Sequence, residues 1–245
     1  MDWMTTAEGW AALLTLTVLE IVLGIDNIIF IAIVAGKLPA ARREVARRTG
    51  LFLAMFIRIA LLLSIVWVMG LTRPFLTLFG FAVSGRSLIL AGGGLFLIFK
   101  STVEIHDSLE GESPHHEQPR RVSFAGVIAQ ILLLDIVFSL DSVITAVGMA
   151  EHVSIMIAAI VIAVFTMLLG ATPIAAFVER HPTVKMLALS FLLLIGLSLI
   201  AEGLGQHVSK GYIYFAMGFS VFVEMINLRV RSKTESVHLH RTLPD

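Results

Sequence analysis

Two short stretches decide how this chain is built: LEIVLGIDNI at 19–28 and LDIVFSLDSV at 134–143. They align without a gap at an offset of 115, with four of ten positions identical and the other six similar in size or polarity. Each carries two carboxylates six residues apart in an otherwise apolar run, Glu20 and Asp26 in the first, Asp135 and Asp141 in the second. An ionised side chain in hydrocarbon is costly, so an acid held there faces a partner or a watery cavity and marks a functional site by default.

Around these motifs the chain divides into apolar runs at 10–35, 51–71, 87–103, 122–149, 153–178, 185–204 and 211–228. Each is near the roughly 20 residues that a membrane-spanning helix needs. Their hydrophobicity is nearly continuous and does not alternate, which fits helices and excludes a β-barrel. The expectation is an all-α membrane protein of seven spans, with a bend in the fifth where Gly170 and Pro173 interrupt it. Of the 245 residues, 57% are hydrophobic and 15% charged, whereas a soluble domain carries about 25% charged residues. Disorder, a coiled coil and a nucleic-acid-binding surface are excluded. The absence of cysteine removes disulfides, thiolate metal sites, iron–sulfur clusters and c-type haem attachment. The acidic start, Met1 to Glu8, lacks the basic region of a signal peptide.

Lysine plus arginine and aspartate plus glutamate number 18 each. The basic residues are sorted. Thirteen fall in alternate loops and the tail: Lys37, Arg42, Arg43, Arg47 and Arg48; Arg120 and Arg121; Arg180 and Lys185; Arg229, Arg231, Lys233 and Arg241. The opposite side holds three, Arg73, Arg86 and Lys210, and only Arg58 and Lys100 remain within spans. The positive-inside rule puts the thirteen in the cytoplasm, with the N-terminus outside and the C-terminus inside. That requires an odd number of spans, as seven is.

The two motifs lie within spans one and four, and the chain reads as a single membrane domain over 1–245. Within it, a first repeat covers about 10–104, a polar linker about 105–121, a second repeat about 122–204, an extra helix about 211–228 and a cytoplasmic tail 229–245. Three spans per repeat is odd, so the second copy enters the membrane from the opposite side. This inverted 3+3 arrangement plus one extra C-terminal helix is a plan common among secondary transporters.

By counting, Glu20 and Asp135 lie near the midplane, with Asp26 displaced to the cytoplasmic side and Asp141 to the outer side. In a straight helix, residues six apart differ by about 120° in direction and about 9 Å in height. Glu20, Gly24 and Asn27 therefore share a face, as do Asp135, Ser139 and Ser142. Loosening at Gly24 or Ser139 would free carbonyl oxygens as further ligands. Carboxylate, amide, hydroxyl and carbonyl oxygens suit Mn²⁺, Mg²⁺ or Ca²⁺ better than Zn²⁺ or Cu⁺. The candidate metal ligands are Glu20, Asp26, Asn27, Asp135, Asp141 and Ser142. Arg58 and Glu202 are candidates for gating or counter-charge. A competing reading makes the acids structural, paired with one another or with Arg58. The ten methionines read as core packing. Lys100 is expected to snorkel near Glu104, four residues on, and Ala91-Gly92-Gly93-Gly94 to allow close helix approach. His106, His115 and His116 in the linker and His238 and His240 in the tail read as solvated side chains.

These residues resemble a known family. LEIVLGIDNIIF at 19–30 and LLLDIVFSLDSVITAVG at 132–148 look like the two signatures of the TerC family of integral membrane proteins. GGGLFLIFKSTVEIH at 92–106 and FVERHPTVKMLALSFLLLIGLSLI at 177–200 resemble it too, so the likeness covers all seven spans. It implies a seven-helix fold related to LysE-type exporters, and a role in metal-ion homeostasis with Mn²⁺ export. It also implies a location in the cytoplasmic (inner) membrane.

The leading expectation is a secondary transporter, not an enzyme. It would export a divalent cation, Mn²⁺ foremost, by alternating access, with the metal ion and the lipid bilayer as partners and no resident cofactor. No ATP-binding motif is present, so a gradient or the membrane potential would drive it. The alternatives are a membrane assembly or metallation partner of exported proteins that transports nothing, or an exporter of amino acids or another cation. An intramembrane aspartyl protease of the presenilin type needs GxGD, which neither Leu23-Gly24-Ile25-Asp26 nor Ser139-Leu140-Asp141 supplies.

Overall fold

In a computed structural model, residues 2–78, 81–110, 123–147, 152–206 and 208–231 are described. Apart from one short hairpin, the regular structure there is helical. A 3₁₀ turn, Asp2–Thr5, leads into α1 (Ala7–Gly36). Then come α2 (Ala40–Leu63), the short α3 (Ile65–Gly70), strands β1 (Pro74–Leu78) and β2 (Phe81–Ser84), and α4 (Gly85–Glu110). The second half contributes α5 (Phe124–Val147), α6 (Val153–Arg180), α7 (Pro182–Gly203) and α8 (Lys210–Arg231).

Local chemistry sets the ends of these helices. Thr6 caps α1 through its side chain, which accepts from the amide of Gly9 at 3.2 Å, and Glu8 places negative charge in the first turn, where the helix dipole favours it. At the start of α4, the Ser84 hydroxyl accepts from the Ser87 amide at 3.1 Å while the Ser87 hydroxyl accepts from the Ser84 amide at 3.3 Å. This is the reciprocal logic of a capping box with serine in the acid's place. Pro182 opens α7 at a position where its missing N–H costs nothing.

Five helices, α1, α4, α6, α7 and α8, are long and apolar enough to cross a membrane. α5 adds a shorter apolar stretch, Phe124–Leu140. α2 differs from the sequence reading of span two. It starts at Ala40, so Arg42, Arg43, Arg47 and Arg48 occupy its first turns and are not in a loop. In the fifth span, where Gly170 and Pro173 were expected to introduce a bend, α6 runs as one helix across both. Between α3 and α4, in a segment outside the apolar runs, β1 and β2 pair antiparallel, with Leu76 opposite Val83 and Thr77 opposite Ala82.

The chain divides into two compact units, Met1–Val208 and Ser209–Asp245. In the first, the broadest interfaces pair α4 with α7, α1 with α6 and α2 with α5, followed by α2 with α6 and α1 with α5. Each joins a helix before residue 111 to one after residue 122. Leu16, Leu62, Leu90, Leu134, Ala163 and Leu192 are among the buried side chains that fill these interfaces. The α4–α7 contact is the closest. A Cβ on Gly94 would run into the carbonyl oxygen of Gly196, and one on Gly196 would lie 2.9 Å from the carbonyl oxygen of Gly94. Only glycine at both positions lets the two backbones meet. The second unit consists, among the described residues, of α8 and its lead-in, with Phe215 and Phe219 stacked at 6.5 Å on an exposed face.

Candidate functional site

Helical periodicity turns Glu20, Gly24 and Asn27 of α1 to one buried face, and Asp135, Ser139 and Ser142 of α5 to another. The α1–α5 contact brings these faces together, and α2 delivers Arg58 between them. The Arg58 guanidinium donates from Nη1 to Glu20 Oε2 at 2.6 Å. It also donates from Nη2 and Nε to Asp135 Oδ1 at 2.5 and 3.0 Å. Asn27 Nδ2 donates to the same Asp135 oxygen at 3.2 Å, and Ser139 Oγ donates to Asp135 Oδ2 at 3.3 Å. Ser142 Oγ donates at 3.3 Å to the Ser139 carbonyl, one turn back. Glu20, Asn27, Arg58 and Asp135 are each no more than 5% exposed.

The electrostatics follow from that geometry. Two carboxylates face one guanidinium, so the cluster carries one net negative charge when all three are ionised. A buried ion pair is held only when its remaining hydrogen-bonding capacity is filled, and Asn27 and Ser139 supply that for Asp135. The planar fork of arginine reaches acids from two different helices at once, which a lysine ammonium does less well.

Three of the six expected ligands, Glu20, Asn27 and Asp135, thus converge with the expected counter-charge, Arg58, while Ser142 is buried further along α5 and, among the described residues, bonds only within its own helix. The backbones of Asp26 and Asp141 belong to α1 and α5, and their side chains lie outside the described residues. His115, His116, His238 and His240 also lie outside them. Among the described residues, no three His, Asp or Glu side chains gather as a metal cage would. Gln130 turns away into a bond with the Gly126 carbonyl at 3.2 Å. Glu202 is not at this site. It pairs with Arg86 at 2.8 Å, tying one end of α7 to the start of α4. At the other end of that helix pair, Glu104 takes Lys37 at 2.5 Å and Lys185 at 3.1 Å, and not Lys100.

One neighbour escaped the sequence reading. Met167 of α6 is buried with its sulfur against Gly24, so a Cβ at Gly24 would strike it. No local signal marks this residue, because only the α1–α6 packing brings it beside the Glu20 and Asn27 face.

Comparison with known proteins gives a consistent picture. The family model described as integral membrane protein TerC matches residues 5–237. A UPF0053 protein of Haemophilus influenzae is 58% identical over 231 residues, covering 94% of this chain and 98% of its own. The UPF0053 inner membrane protein YgdQ of Escherichia coli is 59% identical over 231 residues, covering 94% of this chain and 97% of its own. The UPF0053 protein YegH of Escherichia coli is 49% identical over 245 residues, covering 99% of this chain but 46% of its own. No solved structure matches.

Proposed function

The chain belongs to the TerC family of integral membrane proteins and is a multi-pass protein of the inner membrane, and from that premise we propose that it is a secondary transporter exporting a divalent metal cation, Mn²⁺ foremost, by alternating access. One observation carries the proposal. The matching acids of the two motifs, Glu20 and Asp135, meet on a single buried partner although 115 residues separate them. Repeats related by a twofold axis in the membrane plane would bring matching residues together in this way, and such axes hold the ion sites of many secondary transporters. The interfaces support the same axis. Exchanging α1 with α5, α2 with α6 and α4 with α7 turns the α1–α6 contact into the α5–α2 contact, and returns the α4–α7, α2–α6 and α1–α5 contacts to themselves. In this reading there are seven spans, as an inverted 3+3 repeat plus α8. The oxygen-rich set of Glu20, Asp26, Asn27, Asp135, Asp141 and Ser142 takes a hard divalent ion in preference to Cu⁺.

The test is Mn²⁺ efflux in proteoliposomes. Asp26→Asn and Asp141→Asn are each expected to abolish efflux while the protein still reaches the membrane. Undiminished efflux in both removes these residues from the site. Mn, Zn, Fe and Ca contents of deletion and overexpression strains, measured together, identify the ion.

A second reading, an assembly or metallation partner that transports nothing, is favoured by one specific fact. Glu20 and Asp135 already have a protein cation in Arg58. Purified protein that neither binds nor moves a divalent cation would decide for it.

A further inference from the structure

The place between Glu20 and Asp135 is already filled by a cation, and that cation is part of the chain. We propose that Arg58 is a resident stand-in for cargo: its guanidinium occupies the position that the transported divalent ion takes, and the two exchange once in each transport cycle. The inference rests on reading the protein as a divalent-cation exporter, and assigns to that site the device that empties and resets it.

The charges set the rule of exchange. With Arg58 in place, two carboxylates and one guanidinium sum to one negative charge. With a divalent ion in its place the sum is zero. With both present, the ion and the guanidinium would compete for the same two oxygens, Glu20 Oε2 and Asp135 Oδ1, with like charges at contact distance in a buried site, which is strongly unfavourable. The ion and the arm therefore exclude one another. A monovalent ion in place of the arm leaves the sum unchanged. It gains no charge over the tethered guanidinium, which is held at high effective concentration by its own backbone. The arm thus filters for divalent cargo before any ligand geometry is considered.

The hydrogen bonding suits a part that leaves and returns. Three of the four donors on Asp135 Oδ1 and Glu20 Oε2 belong to Arg58, and the fourth belongs to Asn27. When the arm withdraws, two carboxylates from different helices, α1 and α5, are freed together, and Asn27 remains as the one other donor to Asp135 Oδ1. When cargo departs, the arm's return spares the empty protein a pair of bare carboxylates during reorientation. Arg58 is then a positioning and specificity residue, required for the return of the empty carrier and dispensable for the loaded step.

That division gives a readout that a purely structural arginine would not move. Full-length protein in proteoliposomes is assayed for net Mn²⁺ efflux and for Mn²⁺/Mn²⁺ exchange, and in detergent for Mn²⁺ affinity. Arg58→Gln is expected to bind Mn²⁺ at least tenfold more tightly than wild type, to keep exchange and to lose net efflux. Arg58→Lys keeps the charge but loses the fork, and is expected to bind Mn²⁺ severalfold more tightly with net efflux retained. If Arg58→Gln does not reach the membrane, the affinity of Arg58→Lys decides alone, and unchanged or weakened binding overturns the proposal. It is equally overturned if folded Arg58→Gln binds Mn²⁺ no more tightly than wild type, or loses exchange and efflux together. Wild type that transports Mn²⁺ in such a case leaves the exporter reading intact. Wild type and both variants, all folded and all without binding or transport of a divalent cation, would overturn the exporter reading itself.

Discussion

Arg58 has two carboxylate partners, and the partners are unequal. Asp135 accepts from Arg58 twice, from Asn27 and from Ser139, whereas Glu20 accepts one short bond from Arg58. Removing one member of a buried ion pair costs about 3–5 kcal/mol, so Asp135→Asn is expected near the top of that range and Glu20→Gln near the bottom. Thermal unfolding in detergent, with the folded protein followed by gel filtration, orders the two. Gly24→Ala is a milder case. Its new methyl meets the sulfur of Met167, the yielding part of a flexible side chain, so the cost is about 1–3 kcal/mol. Met167→Ala in the same chain is expected to recover part of it. Much of this was legible beforehand. A 3.6-residue period is enough to put Glu20, Gly24 and Asn27 on one face, and a lone arginine in an apolar span announces itself as a counter-charge. Met167 was not legible, because its position depends on which helices pair. Lys100 was expected to snorkel near Glu104, four residues on, but the cations that Glu104 holds are Lys37 and Lys185, from elsewhere in the fold.

Among the elements, α4 and α7 form a pair fastened in three places. Arg86 and Glu202 close one end, Glu104 and Lys185 close the other, and the glycine crossing lies between. Each helix begins with a base and ends with an acid, so the two match only when antiparallel. The fastenings differ in kind. A partly exposed ion pair contributes up to about 1 kcal/mol and weakens in salt, whereas a side chain at the crossing pushes on backbone that has no room to yield. Arg86→Gln and Glu202→Gln are therefore expected to lower stability slightly and non-additively, with a smaller coupling in high salt, as a double-mutant cycle by thermal unfolding would read. Gly94→Leu is expected to separate the helices and prevent recovery of folded protein. The Gly92-Gly93-Gly94 run signalled close packing in the sequence, and Gly93 indeed lies against Val137 of α5. The hairpin gave no comparable signal. Its apolar residues lie between Arg73 and Arg86 in a segment too short to span, and strand pairing across so few residues leaves little periodicity to detect.

For the molecule as a whole, the surface of the first unit carries many large apolar side chains, among them Leu14, Phe52, Phe56, Leu95, Phe99, Phe165, Leu169 and Leu197. A soluble protein would not leave so many uncovered, and the lipid of the inner membrane covers them here. That the chain is a helical protein with several membrane-spanning segments was legible because hydrophobic length is a one-dimensional signal. The pairing of helices was not, because lipid leaves apolar faces alike and small residues and charges choose among them. Every broad helix–helix interface joins the part before residue 111 to the part after residue 122. A chain cut within 111–122 is therefore expected to work when both pieces are co-expressed and to be degraded when either is made alone, as immunoblotting and Mn²⁺ efflux would report. The same interleaving sets an order of events at the ribosome. While α1, α2 and α4 enter the membrane, Glu20 and Arg58 have only each other, and the faces that will pack on α6, α5 and α7 lie open. Asp135 arrives some 77 residues after Arg58, so the charge cluster cannot close until more than half of the chain has been made, and until then the first half holds its packing faces uncovered.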